Sequence, residues 1–408
     1  MSSKVLPGAR TGSTNAVALP RPSATPSRAV HGLAGELVEP DWPELTEEEL
    51  TEVFARYPLL SKVSRTLELI WRSPRPMSSA ALVTVGARTV FVKRHDTRVR
   101  SSSQLEEEHA FASFLHGAGV AVPNALRTGT GASVVSLGNC IYEIHELAGG
   151  VDLYRDAMSW EPYSCLGHAR SAGSALARFH EAAHFYRGRR RPPGVLMSSC
   201  EIVAAKAPFE QLEHLIEQRP GLARYLDRRN WREDFERYHL FPLHRAAPLV
   251  RNLRPQWSHG DWHPSNLTWT SAGHSAQVAG IFDLGLSNRT FAVHDIAVAI
   301  ERAAVGWLSP AGMATTEADL GIAGALLDGY EHEHPLNRGQ LRALAALLPV
   351  VHIEYALSEV EYFADVLGNE PNADIAYYAY LIGHTKWFSS AEGARLTDYI
   401  CKRSGSRS

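Results

Sequence analysis

The chain has only four cysteines, Cys140, Cys165, Cys200 and Cys401, and no two of them form a Cys-x-x-Cys pair. That argues against a zinc site or a disulfide framework and for reduced thiols in a cytoplasmic protein. No apolar run approaches the ~20 residues a membrane span needs. An excess of one charge is missing too. A formal net charge of -3 over 408 residues offers neither a nucleic-acid surface nor a polybasic membrane anchor. Residues 1–38 lack periodicity and are rich in Ser, Ala, Pro, Arg and Gly, so they read as a disordered tail. Lys4, Arg10, Arg21 and Arg28 raise the alternative of a transit peptide, which the prolines and the missing amphipathic helix disfavour. The basic stretch Arg187 to Gly194 reads as a loop between helices, and Lys402 to Ser408 as a frayed end. The length allows two substantial lobes around a large core.

What is present is concentrated in SHGDWHPSNLTW (Ser258 to Trp269) and in VAGIFDLG, ending at Gly285. Asp261 stands five residues before Asn266, and Asp283 closes the apolar run Val278 to Phe282. Phosphoryl transfer requires parts in this order. One carboxylate orients and deprotonates an acceptor hydroxyl, while an amide oxygen and a second carboxylate hold Mg2+ on the triphosphate of ATP. Leu267 to Trp269 and Val278 to Phe282 read as strands around a turn at Ser271 to Gly273. Paired as an antiparallel hairpin, they deliver Asn266 and Asp283 side by side at its open end. Singly, each of these residues is an ordinary turn, cap or strand end. Their order and spacing distinguish them.

This pattern resembles the aminoglycoside phosphotransferase, choline kinase and homoserine kinase superfamily, whose loop reads His-Gly-Asp-x-His-x-x-Asn. Within it, the segments Val293 to Ala303 and Leu326 to Leu347 are most similar to the homoserine kinase branch. The resemblance runs from about Glu48 to about Leu367 and is loose outside the catalytic loop. It implies Asp261 as catalytic base, Asn266 and Asp283 as magnesium ligands, His259 as a brace of the loop and Asp295 as its fastener.

Upstream, LELIWR, ALVTVG and TVFVKRH alternate as strands between Leu67 and His95. In the last, Val90 and Val92 point to the core, while Thr89, Phe91 and Lys93 share the other face, toward a cleft. A cation there grips the α and β phosphates when a glutamate from the next helix holds it. That helix, Gln104 to Gly117, offers Glu106, Glu107 and Glu108. Only Glu108 shares the phase of Phe111 and Leu115, and the family's Glu-His-x-Phe pattern also implies it as the partner of Lys93. The loop Ser73 to Ala80 lacks the kinase Gly-x-Gly-x-x-Gly pattern, leaving Ser78 and Ser79 as candidate phosphate donors or simple turn caps. Cys140 to Gly150 takes the place of an interlobe hinge, so adenine contacts are expected at His145, Glu146 and Leu147.

Leu166 to Phe185 reads as a long central helix in which His180 is a packed core residue, and His263 is at most a support of the loop. Asp295 opens an expected helix to Ala304. Glu354, Glu361 and Asp365 fall on one helical stripe, and with Glu301 they form a candidate site for an acceptor's ammonium group or, equally, a solvated face. The fold expected is α+β, a bilobal protein kinase-like fold. A small β-rich lobe spans 48–146 and a mainly helical lobe spans 149–400. The expected activity is ATP- and Mg2+-dependent transfer to a hydroxyl of a small molecule, an amino alcohol, amino acid or aminoglycoside-like acceptor. A protein serine/threonine kinase of the same fold and a non-catalytic nucleotide-binding module are the alternatives.

Overall fold

The computed structural model describes residues 30–33, 36–61, 67–308 and 316–403. Most of the expected tail, residues 1–29 and 34–35, lies outside these, as does the segment 404–408 of the expected frayed end. The tail's boundary at 38 needs correction. Val30–His31 (β1) and Leu37–Val38 (β2) pair as an antiparallel ribbon, and Val30 is buried. The His31 N–H donates to the Pro74 carbonyl at 2.9 Å. Two-residue strands are too short for a period to be read, which is why composition alone suggested a tail.

Beyond the ribbon, α1 (Glu47–Phe54) starts on a capping box made by Thr46 and Glu49. Five antiparallel strands follow: β3 (Leu67–Arg72), β4 (Ser79–Val85), β5 (Arg88–Asp96), β6 (Val134–Leu137) and β7 (Cys140–His145). Their order is β3-β4-β5-β7-β6. As the alternation requires, Val90 and Val92 of β5 are buried, whereas Thr89, Phe91 and Lys93 are half-buried on the opposite face. Ala81, Val83, Tyr142 and Ile144 join Val90 and Val92 in a core beneath α1. Between β5 and β6 runs α2 (Ser102–Gly117), capped by Ser101, with Glu108, Phe111 and Leu115 buried along one face.

The second lobe is helical around a much larger core. Its central helix α3 (Leu166–Ala183) lies against α5 (Leu320–Glu333) at backbone contact. A Cβ at Gly173 would stand 1.9 Å from the Leu326 carbonyl, and one at Gly329 1.8 Å from that of Arg170. Only glycines permit that approach. Two short antiparallel pairs sit on this bundle and carry the loops of interest. β8 (Gln256–Ser258) pairs with β11 (Asn288–Thr290), and β9 (Leu267–Trp269) with β10 (Val278–Ile281). Helix α4 (Ala292–Ala303) follows β11, and α6 (Ile353–Glu361) packs nearer the C-terminus. No helix among the described residues is long and apolar enough to cross a membrane.

The two lobes are tied through the N-terminal segment. Trp42 Nε1 donates to the Tyr362 hydroxyl at 2.9 Å, which donates to Asp41 at 2.9 Å. Burial pushes the Asp41 carboxyl up to about 6, against the pull of the Tyr362 hydrogen bond.

Candidate active site

The register Ile281↔Leu267, extended by a hydrogen bond from Phe282 N–H to the Asn266 carbonyl, brings Asn266 and Asp283 to one end of the β9–β10 hairpin. The loop from Ser258 to Asn266 is held from three sides. Asp295, fully buried, accepts from the backbone N–H of His259 (2.5 Å) and Gly260 (2.7 Å) and from His180 Nε2 (3.0 Å). His259 donates through Nε2 to the Phe282 carbonyl (3.1 Å), and its Nδ1 accepts the Asp261 N–H (3.2 Å). Gly260 has φ +81°, and a Cβ there would stand 2.3 Å from the Leu286 carbonyl. His180 completes the bracing by bonding the Tyr330 hydroxyl at 2.9 Å. The helix expected to open at Asp295 begins at Ala292, so Asp295 works from inside its first turn and not as its cap.

Within that frame Asn266 Nδ2 donates to the Asp261 carbonyl (2.9 Å) and Oδ2 (3.2 Å). This use of the amide nitrogen leaves the Asn266 side-chain oxygen as its acceptor. Burial pushes the Asp261 carboxyl up, but Arg302, His263 and His259 beside it outweigh that and hold it below the usual carboxylate range. Arg302 forms the ion pair, at 3.3 Å from Oδ1. Asp283 adopts the left-handed conformation (φ 59°, ψ 69°), which Asp tolerates better than most side chains. Lys93 Nζ donates to its Oδ1 (3.2 Å) and Oδ2 (3.4 Å). Burial raises the Asp283 carboxyl and Lys93 lowers it, for a net depression; for Lys93 itself, burial is outweighed by Asp283, Glu143 and Glu108.

The expected Lys93–Glu108 pair is not made. Glu108 is buried as its phase requires, but it stands 3.6 Å from Arg191, without an aligned hydrogen bond. Arg191 comes from the loop 187–194, read from its basic composition as a plain connection. Instead its guanidinium is fully buried and donates to the carbonyls of Gly285 and Ser287 at 3.0 Å each. It thus ties the segment after Asp283 to α2. A run of arginines gave no clue that one of them points inward.

Two cavities meet at this point. One is lined by Leu82, Phe91, Val122, Leu284 and the segment His145, Glu146 and Leu147. The other contains Asp261, Asn266, Ser78, Arg75, Arg302 and Glu359. Lys93, Glu108 and Asp283 line both. Of the candidate phosphate donors, Ser78 faces the second cavity. Ser79 does not serve there: its hydroxyl donates to the Pro43 carbonyl (2.7 Å) and accepts from Arg94 (3.0 Å), which fastens the N-terminal segment to β4. At the first cavity Glu143 gathers three histidines, accepting from His95 (2.8 Å), His109 (2.6 Å) and His145 (3.0 Å) through Nε2.

The acidic stripe is corrected in full. Glu354 accepts from Ser199 and from the Ile202 N–H (2.7 Å); Glu361 pairs with Arg219 (2.6 Å) and Asp365 with Arg224. Glu301 is buried against His384 Nδ1 at 2.6 Å. Helical spacing placed three acids on one face; the helices between 201 and 226 bury Glu354 and Glu361 there, whereas Asp365 stays exposed beside Arg224. Sequence reading missed the residues that do line the second cavity: Arg75, Trp160, Arg302, Tyr355 and Glu359. The only available signal was that Tyr355 and Glu359 lie four apart on one helix.

A model of the phosphotransferase enzyme family matches residues 78–344. No sequence among curated proteins matches. Among solved structures, a microcompartment-associated aminopropanol kinase is similar with a TM-score of 0.51 at 17% identity, over 86% of this chain and 98% of that one. An aminoglycoside phosphotransferase in complex with GDP and kanamycin also gives 0.51 at 14% identity, over 83% and 99%. Those likenesses show the fold, α+β and bilobal in the kinase-like manner. The family match extends over more than half of the sequence and contains every element of the loop, hairpin and lysine strand described above. The chain belongs to the phosphotransferase enzyme family.

Proposed function

We propose that the protein transfers the γ-phosphoryl group of ATP to a hydroxyl of a small molecule. The observation that carries this reading is the convergence of Lys93, Asp261, Asn266 and Asp283 where the two cavities meet. The cavity lined by Leu82, Phe91 and the 145–147 segment takes the nucleotide base, and the one containing Asp261 takes the acceptor. The lobes divide at this segment, near residues 146–149. The side-chain oxygen of Asn266 and the carboxylate of Asp283 are hard oxygen donors at the shared boundary, a set that fits Mg2+. When bound, that ion neutralises charge on the phosphates.

The remaining steps belong to the chain's own residues. Asp261 is ionised, held by Asn266 and the His259–Asp295 brace, and takes the proton of the attacking hydroxyl. Lys93 supplies positive charge to the phosphates, and Arg75, in the β3–β4 loop, adds a second cation in the acceptor cavity. His31, Gly32 and Leu33 wall that cavity. ADP release in the presence of ATP, Mg2+ and a panel of small hydroxyl compounds tests the reading. Turnover that depends on both magnesium and acceptor is expected. Nucleotide binding without turnover on any small molecule or protein contradicts it.

A further inference from the structure

Arg302 borders the cavity that contains Asp261 with donors that meet no aligned acceptor among the described residues. It is 5% exposed, yet among the described residues its guanidinium makes no hydrogen bond. Its one ionic contact is Asp261 at 3.3 Å, and Asp261 Oδ1 has no aligned hydrogen-bond donor there. What holds Arg302 in place is apolar: the guanidinium carbon lies 4.0 Å from the ring centre of Trp160 and 5.4 Å from that of Tyr355. A guanidinium carries five N–H donors in a rigid plane. These donors border the cavity that contains Asp261.

We infer that Arg302 is the receptor for an anionic group on the acceptor, so that the substrates are small hydroxyl compounds bearing a carboxylate or a phosphate. This rests on the proposed phosphotransfer reading and names its acceptor class. The planar fork matches such anions with two parallel hydrogen bonds, and stacking on Trp160 fixes the plane in which they are offered. Asp261 occupies one edge of the fork and leaves the rest. A hydroxyl on Asp261 and an anion on Arg302 are then separated by little more than the guanidinium itself, which requires the two groups to lie only a few bonds apart in one compact molecule.

The surrounding charges agree. Arg75 lines the same cavity, with His31 Nδ1 at 3.2 Å as its hydrogen-bond contact. Glu359, a further acid lining this cavity, is buried, and burial pushes its carboxyl up to about 7, so at neutral pH it is only partly ionised. The acids that could have received a polycation, Glu354, Glu361 and Asp365, are consumed by Ile202, Arg219 and Arg224. A site of this kind favours an anion over the amine-rich sugars.

The test compares short hydroxy-carboxylates with their uncharged amides, with phosphate-bearing alcohols, with amino alcohols and with kanamycin, each with Mg2+ and ATP. Expected is a preference of about 10- to 100-fold in kcat/KM for the anionic member of each matched pair, the worth of a hydrogen bond to a charged group. The carboxylate and phosphate arms then identify which anion the site takes. R302K and R302Q should lose that preference, mainly through KM, while Mg-ATP still raises the melting temperature as in wild type. Equal or better turnover of amides, amino alcohols or kanamycin overturns the inference and leaves phosphotransfer standing. If no acceptor is turned over, calorimetry on protein loaded with a non-hydrolysable ATP analogue decides. Carboxylate binding that R302K abolishes supports the anion site while phosphotransfer fails, and no anion binding overturns it. Should R302Q not fold, R302K and the wild-type pairs still decide.

Discussion

Replacing Asp295 by asparagine tests the claim that one buried carboxylate holds the catalytic loop. Asp295 is fully buried and accepts three hydrogen bonds, from the His259 and Gly260 backbone and from His180. Asparagine keeps the shape but offers one oxygen, so its NH2 group must confront at least one of those donors. The loss of a hydrogen bond to a charged acceptor costs about 1.5–3 kcal/mol, and the stranded donor about 1–3 kcal/mol more. A destabilisation of about 2.5–6 kcal/mol follows, a large share of the ~5–15 kcal/mol that holds a typical domain. Turnover should fall as well, because Gly260 leads directly into Asp261 and misplacing a reacting group by ~1 Å can cost ~10² in rate. Urea unfolding of wild type and variant measures the first effect, and ADP release in the folded range measures the second. A variant within about 1 kcal/mol of wild type and equally active refutes the reasoning, since a carboxylate bonded this way is not a surface group.

Two further changes probe other parts of the account. Asp283→Asn retains a side chain that tolerates the left-handed backbone but removes the charge facing Lys93, so stabilisation by Mg-ATP in a thermal melt should disappear; an unchanged shift removes Asp283 from the metal and phosphate site. Glu301, whose carboxyl burial pushes up to about 7, holds a proton in the folded state that it releases near its ordinary value when unfolded. The folded state therefore binds more protons between pH ~4.5 and ~7, and stability falls as pH rises through that window, by on the order of 3 kcal/mol for this group. Glu301→Gln lacks the titration, so its stability relative to wild type should climb over the same window, and a flat difference contradicts the shift.

The placing of Asn266 and Asp283 at one end of the hairpin was legible because it is local. A few residues separate Asp261 from Asn266, and strand alternation sets the face of Lys93, so short-range geometry suffices. The cross-chain partners were not legible. Lys93 meets Asp283 and not Glu108 in this structure because Arg191, more than eighty residues downstream of Glu108, occupies the space beside it. Nothing in a basic stretch tells which arginine turns inward. The acidic stripe failed for a related reason: spacing fixes the face on which Glu354, Glu361 and Asp365 lie but not what packs on it. Arg302 was not singled out because its burial comes from Trp160 and Tyr355 elsewhere in the chain, which helix spacing does not show.

The central claim, that Asp261 takes the proton of an acceptor hydroxyl while Asn266, Asp283 and Lys93 secure the phosphates, is tested most directly by single-turnover transfer of labelled γ-phosphoryl from ATP. Asp261→Asn keeps the shape of the loop and removes the proton acceptor. The account predicts a fall of ~10²–10⁴ in the transfer rate with Mg-ATP affinity little changed. Transfer at the wild-type rate, or loss of nucleotide binding together with transfer, contradicts it.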